Sequence, residues 1–262
     1  MLVTGCSTGI GRALAIRLVR AGYDTWASAR KLEDIQDLAD LGCHVLALDV
    51  TDEESMTAAV HAVEAKSGRV WALVNNAGYA QMGPLEEISP AELRRQFETN
   101  VFGVVRLSQL VLPGMRNAGE GRIIVMGSVG GFKTAPGGGA YHMTKYALES
   151  LSDALRLEVR QFGVQVSLIE PPSVASAFHE TSMIGVVAGG PYAAFRERYA
   201  AFSRGAYRGP GVISAETVAD TVIAALEARK AKARYPVGVV ARVVRLIPAG
   251  VWDATMSRQL GL

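Results

Sequence analysis

Met1-Leu2-Val3-Thr4-Gly5-Cys6-Ser7-Thr8-Gly9-Ile10-Gly11 starts apolar, crosses a glycine-punctuated turn and runs into a helical pattern carried by Ala13, Leu14, Ile16, Leu18 and Val19. The implied order is strand, tight turn, helix. Glycines at such a turn let the backbone approach a phosphate closely, and the unpaired N–H groups at a helix start favour an anion. The same letters also serve a plain turn, so nucleotide binding is an expectation that needs company. The strand is unusually short: either three residues suffice or residues ahead of Met1 complete it.

Working outward, Tyr23 to Ala29 reads as a second strand and ends in Arg30-Lys31. At this strand end a dinucleotide site meets the adenosine ribose, where an acidic residue suits a free 2′-hydroxyl and an arginine suits a 2′-phosphate. Arg30 therefore predicts NADP(H) in preference to NAD(H), the alternative being an exposed charge at a helix start. Cys43 to Leu48 is a third strand, followed by Asp49-Val50-Thr51-Asp52 and a helix marked by Met56, Ala59, Val60 and Val63. Asp52 is its expected N-cap, and Asp49, at a strand's carboxyl end, is placed to accept from an adenine amino group.

Val70 to Val74 is strand four and enters Asn75-Asn76-Ala77-Gly78, which suits a tight loop beside a ligand or an ordinary turn. Ser89-Pro90-Ala91-Glu92 opens a helix expected through Phe97 to about Val111. Asn100 in its middle is a mediocre helix former and invites a side-chain role, though a solvent-facing Asn is commonplace. Gly121 to Gly127 is strand five, with Ser128 just past its end, and a glycine-rich approach from Val129 to Gly139 follows. Val164 to Ile169 is strand six, and prolines make Glu170 to Ser176 a loop.

Residues 177–213 read as a loop or lid over the substrate side. Tyr192, Phe195, Tyr199 and Phe202 fall at helical spacing there, opposite Arg196, Glu197 and Arg198. An amphipathic helix packed on the core accounts for that spacing better than an aromatic substrate box. Ser214-Ala215-Glu216-Thr217 caps a further helix, Ala233 to Val237 is a last strand, and 238–262 is a helical extension. Strands and helices alternate without repeat or linker. The expected architecture is α/β, a Rossmann-type doubly wound parallel sheet with helices on both faces, and one domain over 1–262.

The chemistry centres on Gly139-Ala140-Tyr141-His142-Met143-Thr144-Lys145-Tyr146-Ala147-Leu148. Leu148, Leu151 and Leu155 keep one side of a helix in a core, so Tyr141 and Lys145, four apart, are neighbours on one face. A phenol titrates near pH ~10 in isolation, and an adjacent ammonium favours its ionised form, which brings it toward acid/base use at neutral pH.

Composition excludes several classes. In 262 residues, 49% hydrophobic and 20% charged, the chain can bury a full core and has no disordered tract. A formal charge of +2, with no Lys/Arg run longer than a pair, argues against nucleic acid. Cys6 and Cys43 form no disulfide framework and no metal-like spacing, so no metal is expected and a reducing cytoplasm is the default. Arg12 and Arg17 interrupt the N-terminal apolar region, so no signal peptide is expected, and no uncharged run approaches spanning length. Pro236 to Trp252, carrying only Arg242 and Arg245, fits packing on the domain or on a subunit better than a membrane surface.

Taken together these residues resemble the short-chain dehydrogenase/reductase family over nearly the whole chain, to about Leu226. Thr4 to Gly11, with Gly5 in it, is similar to the family's cofactor glycine motif, Asp49-Val50 to its adenine contact and Asn75 to Gly78 to its sheet-supporting motif. Asn100, Ser128, Tyr141 and Lys145 resemble its catalytic tetrad. The resemblance implies Tyr141 as general acid or base, Lys145 lowering the phenol pKa and binding the nicotinamide ribose, and Ser128 orienting the substrate oxygen. Asn100 would hold a water linking Lys145 to solvent. It further implies Ser7, Gly9 and Ile10 at the phosphates, Asn76 at the adjoining ribose, and Val174 and Ser176 at the nicotinamide amide. Gly127 to Gly131 and Leu168-Ile169-Glu170 are similar to members acting on steroids, retinoids and related lipophilic alcohols, so the expected partner is a small lipophilic alcohol or ketone. Family habit also implies a homo-oligomer, a dimer or tetramer through the helices near 90–112 and 140–162. Pro171-Pro172 stands where the family has Pro-Gly, which predicts a rebuilt nicotinamide-side loop, and Ser176 replaces the usual Thr. A nucleotide-sensing binding protein of the same fold is the competing class; it would be marked by loss of Tyr or Lys, and both are present.

Overall fold

The three apolar residues at the start lie at the centre of a sheet. The computed structural model of the protein describes residues 1–176, 178, 183–184, 189–206, 209 and 211–262. Its main sheet has seven strands: β1 (Leu2–Val3), β2 (Trp26–Ala29), β3 (His44–Ala47), β4 (Ala72–Asn75), β5 (Gly121–Met126), β6 (Val164–Glu170) and β7 (Arg234–Pro236). The order is β3-β2-β1-β4-β5-β6-β7, and every pairing is parallel. Strand order reverses between β1 and β4, the switch point at which open α/β sheets bind ligands at their carboxyl edge.

β1 is as short as expected, and it is held from both sides. Leu2 faces Trp26 of β2 and Leu73 of β4, and both Leu2 and Val3 are fully buried. Its hydrogen bonding continues past the strand: Thr4 N–H donates to the Val74 carbonyl at 3.1 Å and Cys6 N–H to the Ser28 carbonyl at 2.8 Å.

Helices cover both faces, as a doubly wound sheet requires. On one face α1 (Gly9–Arg20) packs Leu14 and Leu18 with the buried residues of the helix Ala215–Glu227, including Val218 and Val222. On the other, α2 (Glu53–Ser67) buries Val60 and Val63 with Leu107 and Val111 of the helix Gly103–Ala118 and Leu148 of the helix Gly139–Val159. Asp52 caps α2, accepting from Ser55 N–H at 2.7 Å.

α3 (Pro90–Phe97) starts at a complete capping box between Ser89 and Glu92. Ser89→Ala is expected to lower stability by about 1 kcal/mol, read as a shift in the urea unfolding midpoint. The expected single helix to about Val111 is instead α3, a π turn at Glu98–Phe102, and α4 (Gly103–Ala118). Further helices are α5 (Gly139–Val159), α6 (Ala193–Ala206), α7 (Ala215–Glu227), α8 (Gly238–Leu246) and α9 (Ala249–Leu260).

Of the expected lid over 177–213, residues 177, 179–182, 185–188, 207–208 and 210 lie outside the described residues. Its described part includes α6, and the short strand Met183–Ile184 pairs with Gln81–Met82. No described helix is long and apolar enough to cross a membrane.

Candidate active site

A cleft of about 1250 Å³ runs along the carboxyl edge of the sheet. Gly5, Ser7, Gly9, Ile10, Arg30, Asp49, Asn76, Ser128, Tyr141, Lys145, Val174 and Ser176 all line it. Among the catalytic and cofactor residues expected from the sequence, Asn100 is the exception.

The glycine turn fits a dinucleotide phosphate on its own geometry. Gly5 and Gly9 have φ of +72° and +58°, values that disfavour a side chain. A Cβ at Gly5 would stand 2.9 Å from the Ala77 backbone, and one at Gly11 would strike the Gly5 carbonyl. Thr8, the N-cap residue of α1, makes no side-chain capping bond, and no acidic residue occupies the first turn. The amides at this helix start are therefore not capped by a side chain, and no carboxylate competes for them.

Asn76 lines the cleft but turns its amide the other way. Its Nδ2 donates to the Thr4 carbonyl at 2.8 Å and the Gly5 carbonyl at 3.1 Å, so the side chain braces the glycine turn. Asn75 ties sheet to helix, its Nδ2 donating to Ser108 Oγ at 3.3 Å. Asp49 Oδ1 accepts from Thr51 N–H at 2.9 Å and from Thr51 O–H at 2.7 Å, which orients the carboxylate on the cleft wall.

Past the end of β2 Arg30 is exposed, with Lys31 and Arg95 also on the cleft wall. Arg95 and Arg30 both act on the Tyr79 phenol, whose pKa burial raises and their charges lower. Arg95 was not read from the sequence; its signal was its place on the same helical face as Thr99, four residues on.

At the chemical end Lys145 is buried, and desolvation lowers its ammonium from 10.5 to about 8. Its Nζ donates to the Met126 carbonyl at 2.7 Å and lies 5.6 Å from the centre of the Tyr141 ring. The Ser128 oxygen accepts from Gly130 N–H at 3.0 Å and lines the cleft, which leaves its hydroxyl proton to be donated.

Asn100 sits behind the cleft, almost wholly buried in the π turn. Its Nδ2 donates to the Tyr79 carbonyl at 2.9 Å and to Thr144 Oγ1 at 3.1 Å, while its Oδ1 accepts from Tyr79 N–H at 3.1 Å. The side chain thus joins the loop after β4 to α5, one residue from Lys145. π turns recur where a helix must admit such an inserted contact.

The Pro171-Pro172 loop still reaches the site. Val129 N–H donates to the Pro171 carbonyl at 3.0 Å, and Val174–Ala175 pairs with Ile213–Ser214. Ser176 lies against the glycine turn: a Cβ on Gly9 would come 3.3 Å from its own Cβ.

The remaining wall is apolar. Met82, Phe178, Tyr199 and Phe202 line one side, and Val240, Val244, Trp252 and Met256 of the C-terminal helices line the other. The aromatic residues of α6 are both things the sequence allowed: Tyr199 is buried in a small cluster with Ala80 and Met82, and Phe178, Phe202 and Tyr141 pack against it. α6 is anchored by the half-buried ion pair of Arg196 with Glu87 and by Tyr192 O–H donating to Glu86 at 2.8 Å.

The C-terminal helices grip the loop after Ser128 at consecutive residues. Arg245 stacks 4.0 Å over Phe132, Lys133 donates to the Ile247 carbonyl, and Trp252 Nε1 donates to the Thr134 carbonyl at 2.7 Å. Arg245 also pairs with Glu170, whose carboxyl is raised by burial and by its neighbour Glu149. Cys6 is fully buried, and its thiol is pushed up to about 12, so it is chemically inert. Among the described residues no cluster of His, Cys, Asp or Glu could hold a metal ion.

Comparison with known proteins agrees with this geometry. The uncharacterized oxidoreductase YbbO of Escherichia coli is 38% identical, covering 98% of this chain and 93% of its own. Human 17-beta-hydroxysteroid dehydrogenase type 1 is 36% identical, covering 90% and 76%. A short-chain dehydrogenase structure from Streptomyces avermitilis superposes with a TM-score of 0.82 at 35% identity, covering 98% of this chain and 93% of that one. Related structures hold either nucleotide: one from Burkholderia phymatum is in complex with NAD (25% identity, TM-score 0.80, covering 94% and 91%). A metagenomic oxidoreductase is in complex with NADP (27%, 0.69, covering 89% and 94%). The family model of the short chain dehydrogenases matches residues 1–184, through the glycine turn, Ser128, Tyr141 and Lys145. The chain therefore belongs to the short-chain dehydrogenase/reductase family of oxidoreductases.

Proposed function

We propose that the protein interconverts a lipophilic secondary alcohol and its ketone, or a primary alcohol and its aldehyde, using NADP(H), with Tyr141 as the acid/base. The observation that carries the reading is one cleft with a phosphate-fitting glycine turn at one end, an apolar wall at the other, and Ser128, Tyr141 and Lys145 between them.

When bound, the nicotinamide supplies or accepts the hydride. In the reducing direction Tyr141 gives its phenolic proton to the carbonyl oxygen, and in the oxidising direction it takes the proton back. Ser128, whose oxygen is held by Gly130 N–H, donates its hydroxyl proton to the same oxygen where negative charge develops. Lys145 sets a desolvated ammonium beside the phenol and reaches toward the ribose; at neutral pH it is still charged, since its pKa lies at about 8. Asn100 holds the loop of Tyr79 against α5, and in this reading it also holds a water that links Lys145 to solvent.

Arg30 supports the choice of NADP(H), with a 2′-phosphate as the complementary anion and Arg95 nearby to share it. Arg30→Glu is expected to weaken NADPH binding about 10- to 100-fold, the loss of a charge-assisted hydrogen bond, and to leave NADH within about threefold. Equal weakening of both nucleotides would refute the phosphate contact. NADPH consumption against a panel of lipophilic ketones and aldehydes tests the reaction itself: turnover is expected, and none on any member would count against it. Exposed Phe102, Tyr146 and Leu157 on the α4 and α5 side support a homo-oligomer, which light scattering would size, and two buried free thiols fit a reducing cytoplasm.

A further inference from the structure

We infer that His142 is a positioning residue: its ring fastens the loop that carries Ser128 to the helix that carries Tyr141, and so sets the distance between the two groups that must meet one substrate oxygen. The inference rests on the proposed reaction.

His142 follows Tyr141 in the first turn of α5, and its ring lies edge-on to the Tyr141 ring at 5.7 Å. Nδ1 lies 3.0 Å from the Gly130 carbonyl, and Nε2 lies 3.4 Å from the Ala135 N–H. A carbonyl can only accept and a backbone N–H can only donate. Both contacts are therefore satisfied by one neutral form alone, with the proton on Nδ1. Burial lowers the imidazole pKa below its ordinary value, which agrees with a neutral ring.

The chain of contacts leads directly to the chemistry. His142 Nδ1–H holds the Gly130 carbonyl, and the N–H of the same Gly130 donates to the Ser128 oxygen at 3.0 Å. Through Ala135 the ring also holds the far half of the loop. The backbone is shaped to receive it: a Cβ on either Gly130 or Gly138 would run into the ring. With Phe132, Lys133 and Thr134 gripped from the other side by the C-terminal helices, the loop is fixed from two directions.

The test compares His142→Leu, His142→Asn and His142→Gln. An Asn amide falls near Nδ1 and can still donate to Gly130, whereas a Gln amide falls near Nε2 and serves only Ala135. For His142→Leu, kcat is expected to fall about 10- to 100-fold, the cost of misplacing a reacting group by about 1 Å, while NADPH affinity stays within twofold. His142→Asn should restore kcat to within about fivefold of wild type, and His142→Gln should not. Unchanged kcat in the Leu variant, or equal kcat in the Asn and Gln variants, would overturn the assignment, and the second comparison stands even where the Leu variant does not fold. Nitrogen-15 NMR of wild-type histidines needs no turnover: an Nδ1–H tautomer for His142 is expected, and an Nε2–H or doubly protonated ring at pH 7 would overturn it. Absence of wild-type turnover would count against the proposed reaction, while His142 insensitivity in an active enzyme would count against this inference alone.

Discussion

Tyr141→Phe is expected to lower kcat by about 10³-fold or more while leaving NADPH binding within about twofold, since positioned proton transfer contributes about 10²- to 10⁴-fold. The substitution removes one oxygen and keeps the ring. The ring is what packs against Phe178 at 5.7 Å and against His142 at 5.7 Å, so the cleft wall and the loop contacts survive. The glycine turn, Arg30 and Asp49 lie at the other end of the cleft and are untouched. Stopped-flow reduction of a ketone substrate with parallel fluorescence titration separates the two quantities. Retained turnover would remove Tyr141 from the chemistry, and lost NADPH binding would mean that the substitution had damaged the site as a whole.

Lys145→Met is expected to cost about 10²- to 10³-fold in kcat/KM, the scale of removing a fixed charge from a dry site, without lowering thermal stability. The second half follows from burial. The wild-type ammonium is desolvated strongly enough to bring its pKa from 10.5 to about 8, so folding works against its charge. Methionine removes that penalty and keeps the stem volume. What it loses is the donor to the Met126 carbonyl, worth about 1 kcal/mol. The sign with pH is testable in the same proteins. Between pH 8 and 10.5 the unfolded chain binds a proton that the native chain has released, so wild-type stability gains a rising contribution across that window which the variant lacks. Activity moves the other way, because above about pH 8 the phenol loses its charged neighbour. A variant that is both less stable and still active would contradict the role given to this lysine.

The sequence made the alternation of strands and helices legible because each buried strand is a short apolar run and each helix has a clear period. It was less informative about ends. Tyr23 to Thr25 looked like strand, yet the strand begins at Trp26, with the Tyr23 hydroxyl turned to Glu227 on α7. The π turn had no periodic signature, since it follows from the grip of Asn100 on the backbone of Tyr79, 21 residues away. Asn76 is similar: the carbonyls it braces belong to Thr4 and Gly5, and nothing within its own neighbourhood announces them. Of the four residues expected to be catalytic, Ser128, Tyr141 and Lys145 share the cleft wall, the last two at a spacing that puts them on one helical face, while Asn100 lies buried behind it.

What escaped the sequence altogether depends on tertiary burial. His142 is one more residue in the first turn of a helix, and its only local trace is Gly130 and Gly138, which make room for it. The grouping of Glu149, Asp153 and Glu170 with Arg234 and Arg245 joins α5, β6, β7 and α8, and it anchors the C-terminal helices that line the apolar wall. No pattern in the C-terminal residues alone distinguishes valines that face the cleft, such as Val240 and Val244, from Val239 and Val243, which face outward.

The measurement to make is hydride transfer itself, with NADPH deuterated at the transferring position of the nicotinamide and a lipophilic ketone, reading the product alcohol by mass spectrometry and NMR. Deuterium on the carbinol carbon of a single stereoisomer, formed one for one with oxidised cofactor and lost in Tyr141→Phe, is the expected result. Tight NADPH binding with no label in any alcohol across a panel of lipophilic ketones and aldehydes would contradict it, and would leave a nucleotide-binding protein whose cleft does not perform this reaction.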